Sequence, residues 1–214
     1  NAIFTRVKGE IRREKDFEGF IDIVIHDNNQ AWLWVIPFSD GTTSCGIVCE
    51  EEYFKKTGLS QEEFWDKVIN EHAYLKEKFK DAKKIVPVGI ISGYSAAIKK
   101  MYGKGFALSG NATEFLDPVF SSGVTLALES ANKVAELIIK ELKGEKVDWQ
   151  KDYEDYMMIG INVFREFVSA WYDGKLGKIV YSKNKSEIIK NSISSILSGY
   201  VWDENSYFVK DTRK

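Results

Sequence analysis

The sequence feature that most constrains the fold is the hexapeptide Trp32 to Pro37, which places two tryptophans and an isoleucine at alternate positions. Successive side chains of a β-strand lie on opposite faces, so Trp32, Trp34 and Ile36 share one face of any strand that contains them. This period of two predicts a strand over Ala31 to Ile36 that presents two indoles on one side.

Turn sequences on both sides of this strand extend it into a sheet. Phe20 to Ile25 is a run rich in β-branched residues, and residues 26 to 30 form a polar turn sequence before the next strand. After that strand, Asp40-Gly41 can supply the positive φ angles of a tight hairpin and leads into a further strand over Thr43 to Cys49. Residues 3 to 50 are therefore predicted to form an antiparallel meander.

A helix is predicted directly beyond the meander. Ser60 can cap its start, and Glu63 stands at the third helical position, where it completes a capping box. An apolar stripe at helical spacing follows, and a stripe of this kind is expected to pack on the sheet or on a neighbouring helix. Its members are Phe64, Val68, His72, Leu75 and Phe79.

Three further helices are predicted towards the carboxyl end. The second helix runs from about Ser122 to Leu142 and is ended by Gly144. The third covers Trp149 to Tyr172, the fourth covers Ser186 to about Gly199, and short strands are expected within 85–92 and 105–109. The predicted inward stripe of the second helix is Val124, Leu128, Ala131, Ala135, Ile138 and Leu142.

Length and charge restrict the class of protein. A chain of 214 residues with 44% hydrophobic residues can bury a core, and its 30 basic and 32 acidic side chains give a net charge of −2. This near balance argues against nucleic-acid binding, and no apolar run approaches the roughly 18 residues of a membrane-spanning helix. We therefore expect a cytoplasmic protein with no nucleic-acid partner and no membrane span.

The start of the chain has its own interpretation. Asn1-Ala2 resembles the remnant of a cleaved expression tag, because no methionine precedes it. These two residues are therefore excluded from the predicted fold, and the natural protein is expected to begin earlier.

Few residues suit acid-base, thiol or metal chemistry. His26 and His72 are the only histidines, and for each a structural or solvated role outweighs a catalytic one. Cys45 and Cys49 would lie about 13 Å apart on one face of a strand, too far for a disulfide, and neither has a partner at ligand spacing. We expect the cysteines to be apolar fillers, predict no metal site and leave the catalytic residue unknown.

The stretch from Gly105 to Ala131 is the strongest candidate for a binding site. A strand ends before Gly110, Pro118 fixes a later turn, and Ser122-Gly123 opens a long helix. The free N–H groups of residues 122 to 124, with the positive end of the helix dipole, can stabilise an anion or a partial negative charge. The alternative is a loop that simply leads into a buried helix.

The same stretch resembles the second flavin fingerprint of the para-hydroxybenzoate hydroxylase-like FAD oxidoreductases, which include geranylgeranyl reductases and flavin-dependent halogenases. Gly110-Asn111-Ala112 matches its Gly-Asp-Ala, Asp117-Pro118 matches its Asp-Pro, and Phe120 to Val124 continue the match. The resemblance implies that Asn111 contacts the ribityl chain, without the charge of the usual aspartate, and that the amides of Ser122, Gly123 and Val124 face the flavin. The implied cofactor is FAD.

Trp32-x-Trp34-x-Ile36-Pro37 resembles the W-x-W-x-I-P sequence of flavin-dependent halogenases. The resemblance implies that Trp32, Trp34 and Ile36 face the flavin and the substrate, and that Ser122 and Gly123 hold chloride in a halogenase. The alternative, that both indoles fill the core between sheet and helix, stays open. Related reductases also carry aromatic strands of this kind.

The resemblance implies an α+β fold in three parts: a substrate-side antiparallel sheet with one covering helix (3–92), the second flavin fingerprint with its helix (93–144) and a helical tail (145–214). The Gly-x-Gly-x-x-Gly that binds the ADP part of FAD is not present in this sequence, and neither is the region of the halogenase lysine. We therefore interpret the chain as the carboxy-terminal portion of a larger enzyme, inactive alone and without bound FAD.

Two functional hypotheses follow. The first is part of an FAD-dependent oxidoreductase, either a halogenase or a monooxygenase or reductase, that acts on an apolar or aromatic small molecule with a flavin reductase or NAD(P)H as the electron source. The second is a non-catalytic module that binds a small molecule or a protein in an aromatic-lined pocket.

Overall fold

The computed structural model describes residues 1–184 and 186–211. The chain forms two compact units, Asn1–Tyr94 (unit 1) and Ser95–Lys214 (unit 2). The fold is α+β with an antiparallel sheet and helices, as the sequence predicts. Across the described ranges, no helix has both the length and the apolar character needed to cross a membrane.

Unit 1 is built on one antiparallel sheet. Its strands are β1 (Ala2–Lys8), β2 (Asp22–His26), β3 (Ala31–Pro37), β4 (Thr42–Cys49), β5 (Lys83–Lys84) and β6 (Gly89–Ile91). They lie in the order β2-β3-β4-β1-β5, and β6 also pairs with β1.

The first two residues belong to this fold. Ala2 is part of β1, and the amino group of Asn1 donates a hydrogen bond to the carbonyl oxygen of Cys49 at 2.8 Å. Excluding these two residues from the fold was therefore wrong.

The β3–β4 hairpin differs from the tight turn that Asp40-Gly41 suggests. Gly41 has a φ of +79°, whereas Asp40 does not adopt a positive φ. The Phe38 amide donates to the Thr42 carbonyl at 2.8 Å, and the Gly41 amide donates to the Phe38 carbonyl at 3.2 Å, which closes a three-residue loop. The resulting register places Trp34 opposite Gly46.

Three helices cover one face of this sheet: α1 (Glu51–Lys56), α2 (Gln61–Glu71) and α3 (Ala73–Lys78). The capping box is confirmed, because the Glu63 amide donates to the Ser60 hydroxyl and the Ser60 amide donates to the Glu63 carboxylate. The prediction of a single helix over this stripe was wrong. It is interrupted at His72, whose extended backbone (φ −99°, ψ 109°) changes the chain direction between α2 and α3.

The two faces of the sheet have different surroundings. One face forms a continuous core with the helices, to which Leu33, Val35, Cys45 and Ile47 contribute from the sheet. Trp32, Trp34 and Ile36 alternate with those residues, so they lie on the opposite face, away from the helices of unit 1. The indoles therefore do not fill the core between this sheet and its own helices.

Unit 2 is mainly helical. Its short strands form two small antiparallel pairs, β10 with β7 and β8 with β9. Gly144 follows α4 with a φ of +81°, as the sequence predicts, and the predicted third helix begins as a π-helical turn, Gln150–Asp155. The elements are β7 (Ala96–Ala97), β8 (Tyr102–Gly103), β9 (Phe106–Ala107), β10 (Glu114–Phe115), α4 (Gly123–Leu142), α5 (Tyr156–Tyr172), α6 (Lys175–Val180), α7 (Glu187–Leu197) and α8 (Tyr207–Asp211).

The prediction of which face α4 buries was wrong. Leu126, Ser130 and Leu137 are buried, whereas Val124 and Leu142 in the predicted inward stripe are 70% and 82% exposed. The reason is that the bend before α4 and the helix α5 pack on the Leu126 side. A period of 3.6 residues shows which side chains share a face, but it does not show which of two apolar faces the fold covers.

Candidate functional site

The bend before α4 is a series of short turns with defined backbone. Residues Gly110–Ala112 form a 3-10 turn after β9, and Pro118–Phe120 form a second one after β10. Ser121 then adopts a left-handed conformation (φ 52°, ψ 33°), and α4 begins two residues later. The chain thus reverses direction immediately before the helix and delivers the helix start to the surface of unit 2.

Gly110 is held against α4 by small residues. Its amide donates to the buried Ser130 hydroxyl at 2.9 Å, and Thr113 donates from its hydroxyl to the Gly110 carbonyl at 2.7 Å. Gly110 has a φ of +58°, and a Cβ there would lie 3.3 Å from the Cβ of Ala127. Both the positive φ and the close approach favour glycine. This packing therefore requires the glycine that matches the flavin fingerprint.

The start of α4 is open. Ser122 is the N-cap, yet its side chain makes no capping hydrogen bond. Gly123 is exposed, and the only atom within 4 Å of a Cβ built there is the Asn111 side-chain oxygen at 3.8 Å. The first amides of an α-helix have no intrahelical acceptor. This start therefore offers unpaired N–H groups and the positive end of a 20-residue helix to a ligand.

The remaining predicted cofactor residues lie around this start. Asn111 is exposed beside Gly123 and carries an amide that can donate and accept. The carboxylate of Asp117 accepts from the Val119 amide at 3.1 Å and from the Tyr172 hydroxyl at 2.8 Å. Asp117 and Pro118 therefore shape the turn before the helix, while Asn111 is the side chain that faces outward.

Sequence reasoning did not identify the residues that brace the bend. The buried Glu114 carboxylate accepts two hydrogen bonds from the Arg165 guanidinium, at 3.0 and 2.8 Å. The Tyr153 hydroxyl donates to the Leu108 carbonyl, and burial raises the pKa of Tyr153 to about 12, so it remains a donor at neutral pH. A glutamate directly before the apolar pair Phe115-Leu116 was the signal that could have pointed to a buried partner.

The aromatic face of unit 1 forms a second cluster. The indole of Trp34 lies over Gly46 on β4, where a Cβ would be 2.3 Å from the ring. Its N–H donates to the Ser44 hydroxyl at 3.2 Å, and its ring centroid lies 6.5 Å from that of Phe4 and 6.0 Å from that of Trp32. Gly46 and Ser44 therefore fix the indole flat across the sheet.

Other chemistry has little support. The described residues contain no group of three or more His, Cys, Asp or Glu side chains that could hold a metal ion. Cys45 and Cys49 are buried free thiols, and burial raises the pKa of Cys49 to about 11 and that of Cys45 further. Burial also lowers the pKa of His26, although Glu71 lies 3.9 Å away.

A family model described as tryptophan halogenase matches residues 23–211, a range that contains Trp32 to Pro37 and the bend before α4. The chain belongs to the tryptophan halogenase family. The W-x-W-x-I-P segment and the fingerprint bend are therefore features of a halogenase-family chain, in unit 1 and unit 2 respectively.

Individual relatives agree with the family model. A 1H-pyrrole-2-carbonyl-[peptidyl-carrier protein] chlorinase of Pseudomonas fluorescens is 32% identical over 145 residues, which are 66% of this chain and 32% of that protein. A tryptophan 2-halogenase of Chondromyces crocatus is 31% identical over 152 residues, 70% of this chain and 28% of that protein.

The crystal structure of a flavoprotein/dehydrogenase of Cytophaga hutchinsonii is 43% identical with a TM-score of 0.90, and the match covers 100% of this chain and 52% of that one. This tryptophan halogenase family chain thus spans about half or less of the length of these relatives.

Proposed function

We propose that this chain is the carboxy-terminal portion of an FAD-dependent halogenase that acts on an aromatic small molecule in the cytoplasm. The observation that carries the proposal is the open start of α4, where Gly123 is exposed and Ser122 provides no side-chain cap. FAD, when bound, supplies the redox chemistry, with a flavin reductase or NAD(P)H as the electron source.

The residues at the bend suit the flavin and a halide. The amides of Ser122, Gly123 and Val124 lie at the start of α4, where Gly123 and Val124 are exposed and Ser122 is buried. They can donate to the electron-rich edge of the flavin and, at Ser122 and Gly123, to chloride. The exposed amide of Asn111 can hold the ribityl hydroxyls through neutral hydrogen bonds. Ser130 and the Glu114–Arg165 pair keep this geometry fixed before a ligand arrives.

In unit 1, the aromatic strand would supply an apolar surface for a planar ligand. Trp32, Trp34 and Ile36 occupy the sheet face opposite the helices of unit 1, where Trp32 is buried and Trp34 and Ile36 are partly exposed. Flat indoles exclude water and pack well against planar ligands. The substrate itself is not specified by this face, since the relatives include both a pyrrolyl-carrier chlorinase and a tryptophan halogenase.

A flavin titration of the complete gene product tests the proposal. We expect the complete protein, reconstituted with FAD, to be yellow, and the Gly123→Leu variant to lose about tenfold or more in FAD affinity, because a side chain would block the amides. The matched control is Gly19→Leu, since a Cβ at exposed Gly19 meets no atom within 4 Å. A colourless wild-type protein, or equal FAD affinity in the two variants, would count against the proposal.

The alternative function, a non-catalytic module with an aromatic pocket, makes a different prediction in the same experiment. Such a module would bind apolar ligands without flavin, and the Gly123→Leu change would leave that binding intact. An in-frame Gly-x-Gly-x-x-Gly in the gene upstream of residue 1 would favour the enzyme.

A further inference from the structure

A groove lies between α6 and α7 in unit 2, outside the predicted flavin site. It encloses about 460 Å³ and is open along one side. Side chains from both helices line the groove: Lys178, Ile179 and Val180 from α6, and Ile189, Ile193 and Leu197 from α7.

The floor of the groove is apolar and accessible. Ile179, Ile189 and Leu197 are between 42% and 46% exposed, and Ile193 is buried beneath them. Ile188 beside the groove is 75% exposed. Contiguous apolar side chains on a surface mark an interaction site more often than scattered ones do, so this floor fits an apolar partner surface.

The rim of the groove is basic. Two lysines, Lys178 and Lys190, line the groove, and the described lining contains no acidic side chain. Lys190 pairs with Glu187 at 3.5 Å, whereas no described carboxylate lies within 4.0 Å of Lys178. This lining is complementary in charge to an acidic partner surface.

The shape of the groove selects a helix over a lipid surface. A membrane favours protruding apolar side chains on a convex face, whereas here they line a concavity between two helices. An amphipathic helix fits such a groove by inserting side chains spaced at i, i+3, i+4 and i+7 while its polar flanks meet the rim.

We propose that the groove between α6 and α7 receives an acidic amphipathic helix of a partner protein. Acidic side chains on the flanks of that helix pair with Lys178 and Lys190, and its apolar side chains cover Ile179, Ile189 and Leu197.

Fluorescence anisotropy with the complete gene product that contains these 214 residues tests the proposal. The probe is a labelled amphipathic peptide with leucine at i, i+3, i+4 and i+7 and glutamate elsewhere, compared with the same peptide carrying lysine for glutamate. We expect the acidic peptide to bind about tenfold tighter than the basic one, and the double variant Lys178→Glu/Lys190→Glu to remove that preference. The matched control, Lys143→Glu/Lys146→Glu, changes the charge equally on an exposed stretch outside the groove and should stay within about twofold.

A second variant and a second probe complete the test. Leu197→Asp should weaken the acidic peptide about tenfold without changing the lysine rim, and circular dichroism should show that it and the double variant are folded. Equal binding of the two peptides, or an unchanged affinity in both groove variants, would overturn the proposal. Preferential binding to phosphatidylserine vesicles would overturn it in favour of a membrane. The assay contains no flavin, so a failed flavin titration does not affect its result.

Discussion

Two tryptophans in this molecule lie flat on a glycine, one in each unit, and they are held differently. Trp34 in unit 1 covers Gly46 and donates to the hydroxyl of Ser44. Trp202 in unit 2 covers Gly160, where a Cβ would lie 2.4 Å from the ring, and donates to the backbone carbonyl of Tyr156 at 2.9 Å.

The difference lies in what each ring supports. Trp202 packs against the core cluster of unit 2 and stacks on Tyr156 at 5.8 Å, so it joins the segment after α7 to α5. Trp34 is absent from the helix-covered core of unit 1 and belongs instead to the aromatic face with Trp32 and Phe4. The same local arrangement thus supports the core in unit 2 and holds a partly buried ring on the sheet face opposite the helices in unit 1.

Trp202→Ala should have the largest effect on stability. Removing a large buried aromatic side chain costs about 3–5 kcal/mol. Because Trp202 is only partly buried, the cost of Trp202→Ala should be about 3 kcal/mol. Urea unfolding followed by circular dichroism measures the loss. Trp34→Ala is the matched control and should cost less, because its ring is outside the core cluster. Equal losses in the two variants would show that both rings are structural.

Gly46→Ala should have the next largest effect. The new Cβ would lie 2.3 Å from the Trp34 ring, so the indole must move, at a cost of about 1–3 kcal/mol. Gly160→Ala creates the same clash under Trp202, but alanine regains about 1 kcal/mol as a better helix former, so its net cost should be smaller.

A double-mutant cycle separates the clash from other effects of the new methyl group. Gly46→Ala combined with Trp34→Ala should cost less than the sum of the two single changes, because the clash disappears with the ring. Gly89→Ala is the control on the same sheet, since its Cβ would contact Phe4 at an ordinary 3.5 Å. Additive costs in the cycle would contradict the arrangement of ring and glycine.

The pairing of Trp34 with Gly46 shows where sequence reasoning about the fold ends. The strand and the shared face of its indoles follow from the period of two, and both are confirmed. The partner of Trp34 depends on the loop length at Asp40-Gly41, because a two-residue loop would place Ile47 opposite Trp34 and a three-residue loop places Gly46 there. A register shift of one residue therefore decides whether the ring can lie flat.

The bend in unit 2 shows the same limit for the site. The local pattern of glycine, proline and small residues predicts the turns and a helix start at about Ser122, one residue before α4 begins. The residues that fix the bend, Ser130, Tyr153 and Arg165, are 20 to 51 residues away from the groups they contact. Such partners are set by tertiary packing, which no local period in the sequence reports.

Ser44→Ala should have a smaller effect than either glycine change. It removes one neutral hydrogen bond from the Trp34 N–H, worth about 0.5–1.5 kcal/mol. Ser44→Thr keeps the hydroxyl and should restore most of the loss. The indole N–H resonance of Trp34 should shift in Ser44→Ala and return in Ser44→Thr. An unshifted resonance in Ser44→Ala would contradict the hydrogen bond.

The two thiols of β4, Cys45 and Cys49, should show the smallest effect, because the aromatic face can change without opening the opposite face of β4. Burial raises the pKa of Cys49 from 9.0 to about 11 and raises that of Cys45 more, so both are protonated at pH 8. Native protein and Gly46→Ala should both leave a thiol reagent unreacted, whereas denatured protein should react twice.

Stability should depend on these thiols only in alkaline solution. The unfolded chain releases the Cys49 proton above pH 9, while the folded chain retains it until about pH 11. The free energy of unfolding should therefore decrease by about 1.4 kcal/mol per pH unit for each such thiol as the pH rises through this window. Cys49→Ala should remove part of that slope and leave stability at pH 7 to 8 nearly independent of pH. In the thiol-reagent test, reaction of Cys45 at pH 8 in Gly46→Ala would show that the strand itself is distorted. Trp34 would then be a structural ring, like Trp202.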